Sequence, residues 1–176
     1  MIRDEIHRDI FVPSHIARLI DTREFQRLRN IQQLATCHSV FPAATHNRFS
    51  HSLGAYHLAR TLCEHLSEVQ PGIISDDDAE LVSIAALLHD IGHPPFSHLL
   101  ENDKVFANFH SHEDWGKLML ESEETEIGIA IREVLGKDRT ARLFALYSGK
   151  DEHDGEEISP FLKEIVSSQL DVDRMD

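Results

Sequence analysis

The chain has 176 residues, 41% of them apolar, and a formal net charge of −14. That length suits a single domain with its own core, and no apolar run approaches the roughly 18 residues that would span a bilayer. The acidic balance argues against a general nucleic-acid coat. The charged start MIRDEIHRDI carries no signal-peptide core, and Cys37 and Cys63 form no CxxC pair, so the expected compartment is the cytoplasm.

Helical periodicity runs through nearly the whole chain, and no strand pattern stands out. A short helix follows Pro13, with Ser14 as its cap and Ile16, Leu19 and Ile20 on one face. Thr22 caps a second, with Phe25, Leu28 and Ile31 together. Residues 35–47 read as a loop broken by Pro42. A long helix then spans about 49–69, turning Leu53, Leu58, Leu62 and Leu66 inward, until Pro71-Gly72 ends it. Ser75 caps the next, over 76–90, with Asp76, Asp77 and Asp78 well placed in its first turn. Its apolar end, IAALLHD, marks it as the most buried helix. Gly92 and Pro94-Pro95 stop it. Further helices are expected from near His98, from near His112, over 124–135 and over 138–147. Residues 148–158 read as an exposed acidic loop, and Ser159-Pro160 starts a last helix that continues to Asp176. Trp115, at helical spacing from Leu118, is expected in the core. The fold class is therefore all-α, a helical bundle.

Two anomalies point to chemistry. Residues 1–50 balance at +2 while the rest balance at −16, and 13 histidines exceed what a packed core needs. The buried helix ends in His89-Asp90, two ligand-type side chains that are costly to bury without a partner. A metal ion is such a partner. His51 and Asp173 are the best upstream and downstream candidates to complete the set, with His46 the rival for the first. Asp171 and Asp176 are the rivals for the second, on a solvated helix face. Two imidazoles and two carboxylates leave positions open on an octahedral first-row metal, as a catalytic site needs. The donors do not choose among iron, manganese, magnesium and zinc.

The dipeptide HD alone means little. The longer strings IDTREFQRLRNIQQL, VFPAATHNRFSHSLGAYHLA, ALLHDIGHPPFSH, HSHEDWG and DVDRMD together span nearly the whole chain. They resemble the HD superfamily, in particular its deoxynucleoside triphosphate (dNTP) triphosphohydrolase branch. The resemblance implies an HD-domain helical bundle over residues 1–176, with His51, His89, Asp90 and Asp173 as ligands of a divalent metal. It implies catalytic positions at His93, His98, His112 and Glu113. Arg48 and Arg174 match phosphate-contacting positions, and Gln33 and Leu34 match the pair that reads the deoxyribose. The implied reaction is metal-assisted hydrolysis of a dNTP to deoxynucleoside and triphosphate, and members of this branch assemble as oligomers.

Three departures stand out. Ala35 follows Gln33-Leu34 where the family usually has glycine, Pro94 replaces a glycine after His93, and Arg174 stands where the family has lysine. Family members also continue past the DVDRMD motif with further nucleotide-holding helices, so the chain is expected to be the N-terminal part of such a domain. Two alternatives stay open: an HD phosphohydrolase for another nucleotide, and a catalytically silent module that binds metal or nucleotide. His7, His15, His38, His57, His65, His110 and His153 are read as ordinary surface or packing residues.

Overall fold

In the computed structural model, residues 1–96, 110–150, 152–153 and 156–176 are described. The helix expected from near His98 lies outside them. Two long helices form the centre: α3 (Arg48–Val69) and α4 (Asp76–Leu88). Every side chain from Leu81 to Leu88 is buried. That is why α4 shows almost no polar face from Leu81 onward: it is enclosed on all sides there. Ser75 caps it, accepting from the Asp78 amide at 3.0 Å, as expected. The acidic first turn also clamps the neighbouring helix α6 (Glu126–Tyr147): Asp77 receives Arg139 at 2.6 Å and Asp78 receives Arg142 at 2.7 Å.

Against α4 pack α6 and α7 (Pro160–Val166), and against α3 packs α8 (Val172–Met175); α1 (Ser14–Ile20), α2 (Arg23–Gln26) and α5 (His112–Glu121) pack on α6. The expected break between helices at 135–138 occurs inside α6, at Gly136 with φ 74°. Among the described residues no helix is long and apolar enough to cross a membrane.

Several local expectations fail for identifiable reasons. Pro13, not Ser14, occupies the cap position of α1, and no side chain caps it. Thr22 turns its hydroxyl to the Leu19 carbonyl at 2.7 Å instead of capping α2, which passes into a 3-10 turn at Arg27–Asn30 after four residues. The chain start is a hairpin, β1 (Ile2–Asp4) against β2 (Arg8–Ile10), antiparallel with Ile2 opposite Ile10. Asp4 closes it by accepting from the Ile6 and His7 amides, each at 2.9 Å. Within the expected loop, β3 (Glu152–His153) pairs with β4 (Glu156–Glu157).

The last helix is not continuous. It ends at Val166 and restarts as α8. Asp171 causes the break by taking the Ser168 amide at 2.5 Å and the Arg174 amide at 2.9 Å, so side chain replaces backbone as acceptor. Trp115 is 45% exposed, because α5 buries Gly116 and Leu120 against the core and turns Trp115 toward the His110 ring.

Candidate metal centre

Three helix ends meet at one point. At the start of α3, Asn47 caps the helix through the Ser50 amide at 3.0 Å, and the Arg48 amide bonds back to the Ile31 carbonyl at 2.9 Å. This anchoring buries the first turn and turns His51 inward. At the end of α4, His89 and Asp90 continue into a tight turn in which the His93 amide meets the Asp90 carbonyl at 3.1 Å. The third end is the start of α8, where the Asp171 cap holds Asp173 in the first turn.

Here His51 Nε2 lies 2.8 Å from Asp173 Oδ1 and 3.8 Å from Asp90 Oδ2. His89 Nε2 lies 3.3 Å from the same Asp173 oxygen and 3.5 Å from Asp90 Oδ1. One donor atom each from His51, His89 and Asp90 lies within 4.8 Å of the others. Four residues spread over 123 positions of the sequence are thus drawn into one cluster.

His89 tests whether a cation fits. Its Nδ1 donates to the Ala86 carbonyl at 2.7 Å, which fixes the proton on that nitrogen. Its Nε2 is buried, makes no hydrogen bond and faces carboxylate oxygens. A lone pair directed at anions is unfavourable unless positive charge sits between them. The site therefore fits a divalent metal.

Electrostatics follow the same logic. Burial pulls the His51 pKa down, but hydrogen bonds to Asp173 and Asp176 and the charge of Asp90 outweigh it and raise it to about 9. Burial likewise opposes a charge on His89, and the Asp90 carboxylate overrides it upward. Asp90 is pushed up by burial, yet His89, His93 and Arg48 together hold it well below the usual carboxylate range. The hydrogen bond from His51 and the nearby His89 ring do the same for Asp173. The raised imidazoles and lowered carboxylates mark a place where positive charge is stabilised.

The other expected residues fall in different positions. His93 is buried, with Nε2 3.2 Å from Asp90 Oδ1, and burial lowers its pKa. Its ring stacks on that of His112 at 3.8 Å and 13°. Gly92 makes this stack possible: a Cβ there would overlap the His112 carbonyl and the Gly116 amide. Asp90, His93 and His112 also form a second close donor group that shares Asp90 with the first. Glu113 is exposed, with Oε1 3.4 Å from His112 Nε2. Arg48 is buried and donates to Asp90 Oδ2. Gln33 lines a cavity of about 710 Å3 that also touches His51, Asp173 and Asp176, while Leu34 is half-exposed outside that lining. Arg174 is exposed and donates to the Gln169 carbonyl at 3.2 Å. His98 lies outside the described residues. Of the rivals, His46 lines the cavity without joining the donor group, Asp171 is the buried cap, and Asp176 bonds His51.

Two contributors were not apparent from sequence. Arg27 donates to the carbonyls of His93 (2.7 Å) and Ile91, fastening the turn that follows the His-Asp pair. His7, read as ordinary, is 2.6 Å from Asp176. Nothing in the local spacing of either residue signals a partner so distant in sequence.

Comparison with known proteins agrees with this geometry. The family model described as HD domain matches residues 48–176. An uncharacterized protein YwfO of Bacillus subtilis is 37% identical over 180 residues, covering all of this chain and 38% of its own length. The deoxynucleoside triphosphate triphosphohydrolase SAMHD1 of Homo sapiens is 50% identical over 102 residues, 57% of this chain and 16% of its own. Its homolog in Dictyostelium discoideum is 43% identical over 125 residues, 68% of this chain and 24% of its own. The chain thus spans well under half the length of these relatives. The matched region begins at the helix bearing His51 and extends through the one bearing Asp173, and on that match the chain belongs to the HD domain family.

Proposed function

We propose that this chain is the metal-binding part of a phosphohydrolase that cleaves dNTPs to deoxynucleoside and triphosphate. The observation that carries the reading is the donor cluster, above all the buried, unbonded His89 Nε2 facing Asp90 and Asp173. The residues that would hold the ion are His51, His89, Asp90 and Asp173. When bound, a divalent ion supplies a Lewis acid that makes water more acidic and offsets phosphoryl charge.

The chain's own groups supply the rest. His93, neutral because burial disfavours its charged form, is suited to accept a proton at a ring nitrogen. His112, stacked on it and less buried, stands between His93 and the exposed Glu113, a route for that proton toward solvent or leaving oxygen. His98 belongs with these two by resemblance. Arg48 holds Asp90 in place, and its phosphate-contacting role comes from the resemblance. Gln33 lines the cavity beside His51 and Asp173, so a sugar held there would lie next to the ligand cluster; Leu34 and Arg174 are further substrate contacts by resemblance. The dNTP assignment draws its support from the triphosphohydrolases that the chain matches over part of their length.

The test is incubation of the purified protein with each dNTP and manganese or iron, with chromatography of the products. Deoxynucleoside plus intact triphosphate, abolished by a chelator, is the expected result. Pyrophosphate plus monophosphate would mean that the anhydride between the α- and β-phosphates breaks, not the ester to the sugar. Metal binding without turnover of any nucleotide would make the chain a silent module.

A further inference from the structure

His51 is held from both sides. One ring nitrogen faces Asp173, and Nδ1 lies 2.8 Å from Asp176 Oδ2. A carboxylate only accepts, so His51 Nδ1 must carry the proton of that bond. The other Asp176 oxygen, Oδ1, is 2.6 Å from His7 Nε2, which by the same reasoning donates. His7 and Asp176 side chains are 13% and 8% exposed, so this chain of bonds is largely shielded from water. Its geometry is built into the fold. Gly54, one helical turn after His51, leaves the space that Asp176 fills, since a Cβ there would overlap the carboxylate. His7 is presented by the hairpin turn that Asp4 closes.

Resting on the metal reading above, we propose that Asp176 is a positioning residue for His51. It pins the proton on Nδ1, leaves Nε2 for the metal, and ties that arrangement through His7 to the β1–β2 hairpin. A carboxylate behind a ligating imidazole also makes the ring a better donor. The hairpin then has a role beyond packing, because ordering it and loading the metal favour one another.

The probe is zinc, which is diamagnetic, added to the metal-stripped full chain. In the zinc-loaded wild type, nitrogen-15 NMR is expected to show His51 with a proton on Nδ1 and metal on Nε2, and the hairpin amides become better protected from hydrogen exchange. Asp176→Ala should weaken zinc binding by about 10–100-fold and abolish the gain in hairpin protection. Asp176→Asn keeps an acceptor for Nδ1 and should restore the tautomer and most of the affinity, so it carries the test where the alanine variant does not fold. His7→Gln should leave the tautomer intact and uncouple the hairpin. Zinc affinity and tautomer unchanged in both Asp176 variants would overturn this proposal alone. Failure of the wild type to bind zinc would overturn the metal reading with it.

Discussion

The cavity beside His51 has two unlike walls. On one, the starts of α3 and α8, which meet the end of α4 at the donor cluster, bring polar groups together, each held by named partners: Arg48 on Asp90, Ala86 on His89, Asp176 on His51. On the other, the segment that follows Gln33 carries little burial, with Val40 74% and Phe41 65% exposed. Helix ends place side chains rigidly because their geometry is set by the core behind them. A loop places them only as well as its few contacts allow. The contrast predicts that the metal wall is set by charge and sensitive to small changes, whereas the loop wall is tolerant and governed by backbone conformation.

The strongest way to break that contrast is to remove the charge at its centre. Asp90→Ala leaves the buried Arg48 guanidinium and the imidazoles without their shared anion. Losing one partner of a buried pair costs about 3–5 kcal/mol. The variant should lose zinc binding, and urea denaturation should find it destabilised by that amount. A shift below about 1 kcal/mol, the scale of an exposed pair, would mean that the cluster is more solvated than its burial implies.

A milder perturbation is pH, applied to the metal-stripped protein. His51 has its pKa raised from 6.5 to about 9 in the fold, so its contribution is complete below 6.5 and is lost as pH rises through 9. His93 is shifted the other way; its contribution is present above 6.5 and lost as pH falls through its lowered value. Asp173 and Asp176, both lowered from 3.8, add a further loss in stronger acid. The melting temperature should therefore peak near pH 6.5 and decline on both sides. With zinc bound, the alkaline decline should disappear, because the ion replaces the His51 proton. A flat profile from 6.5 to above 9 without metal would show that the bonds from His51 to Asp173 and Asp176 do not form.

The two walls also differ in how far they could be read from sequence. The central helices followed from periodicity and from Pro71-Gly72 and Ser75, and the convergence of His51, His89, Asp90 and Asp173 followed from the motifs. The failures share a cause: they depend on side chains competing with the backbone or on partners far away in sequence. Asp171 splits an apparently continuous helix by capturing two amides, and the sequence SSQLDVD contains no proline or glycine to announce it. Arg27 looks like one more charge in a short helix until the fold brings the Ile91 and His93 carbonyls to it. His7 and Asp176 are 169 residues apart. Trp115 kept the right period but lies on the side of α5 that the core does not reach, a distinction that depends on where Gly116 packs.

The smallest expected effect belongs to the loop wall and rests on one residue. Ala35, immediately after Gln33 and Leu34, has φ 48°, a left-handed conformation that costs an L residue roughly 1–2 kcal/mol. Glycine pays no such cost, but its unfolded chain is freer, which takes back about 0.4–1 kcal/mol. Ala35→Gly should therefore stabilise the protein by roughly 0 to 1.6 kcal/mol, seen as a rise in the urea midpoint at constant slope. Its effect on zinc affinity should be nil, since the Ala35 backbone touches none of the four donors. If zinc affinity moved while stability did not, the two walls would be mechanically coupled, and the loop would have to be counted as part of the metal site's support.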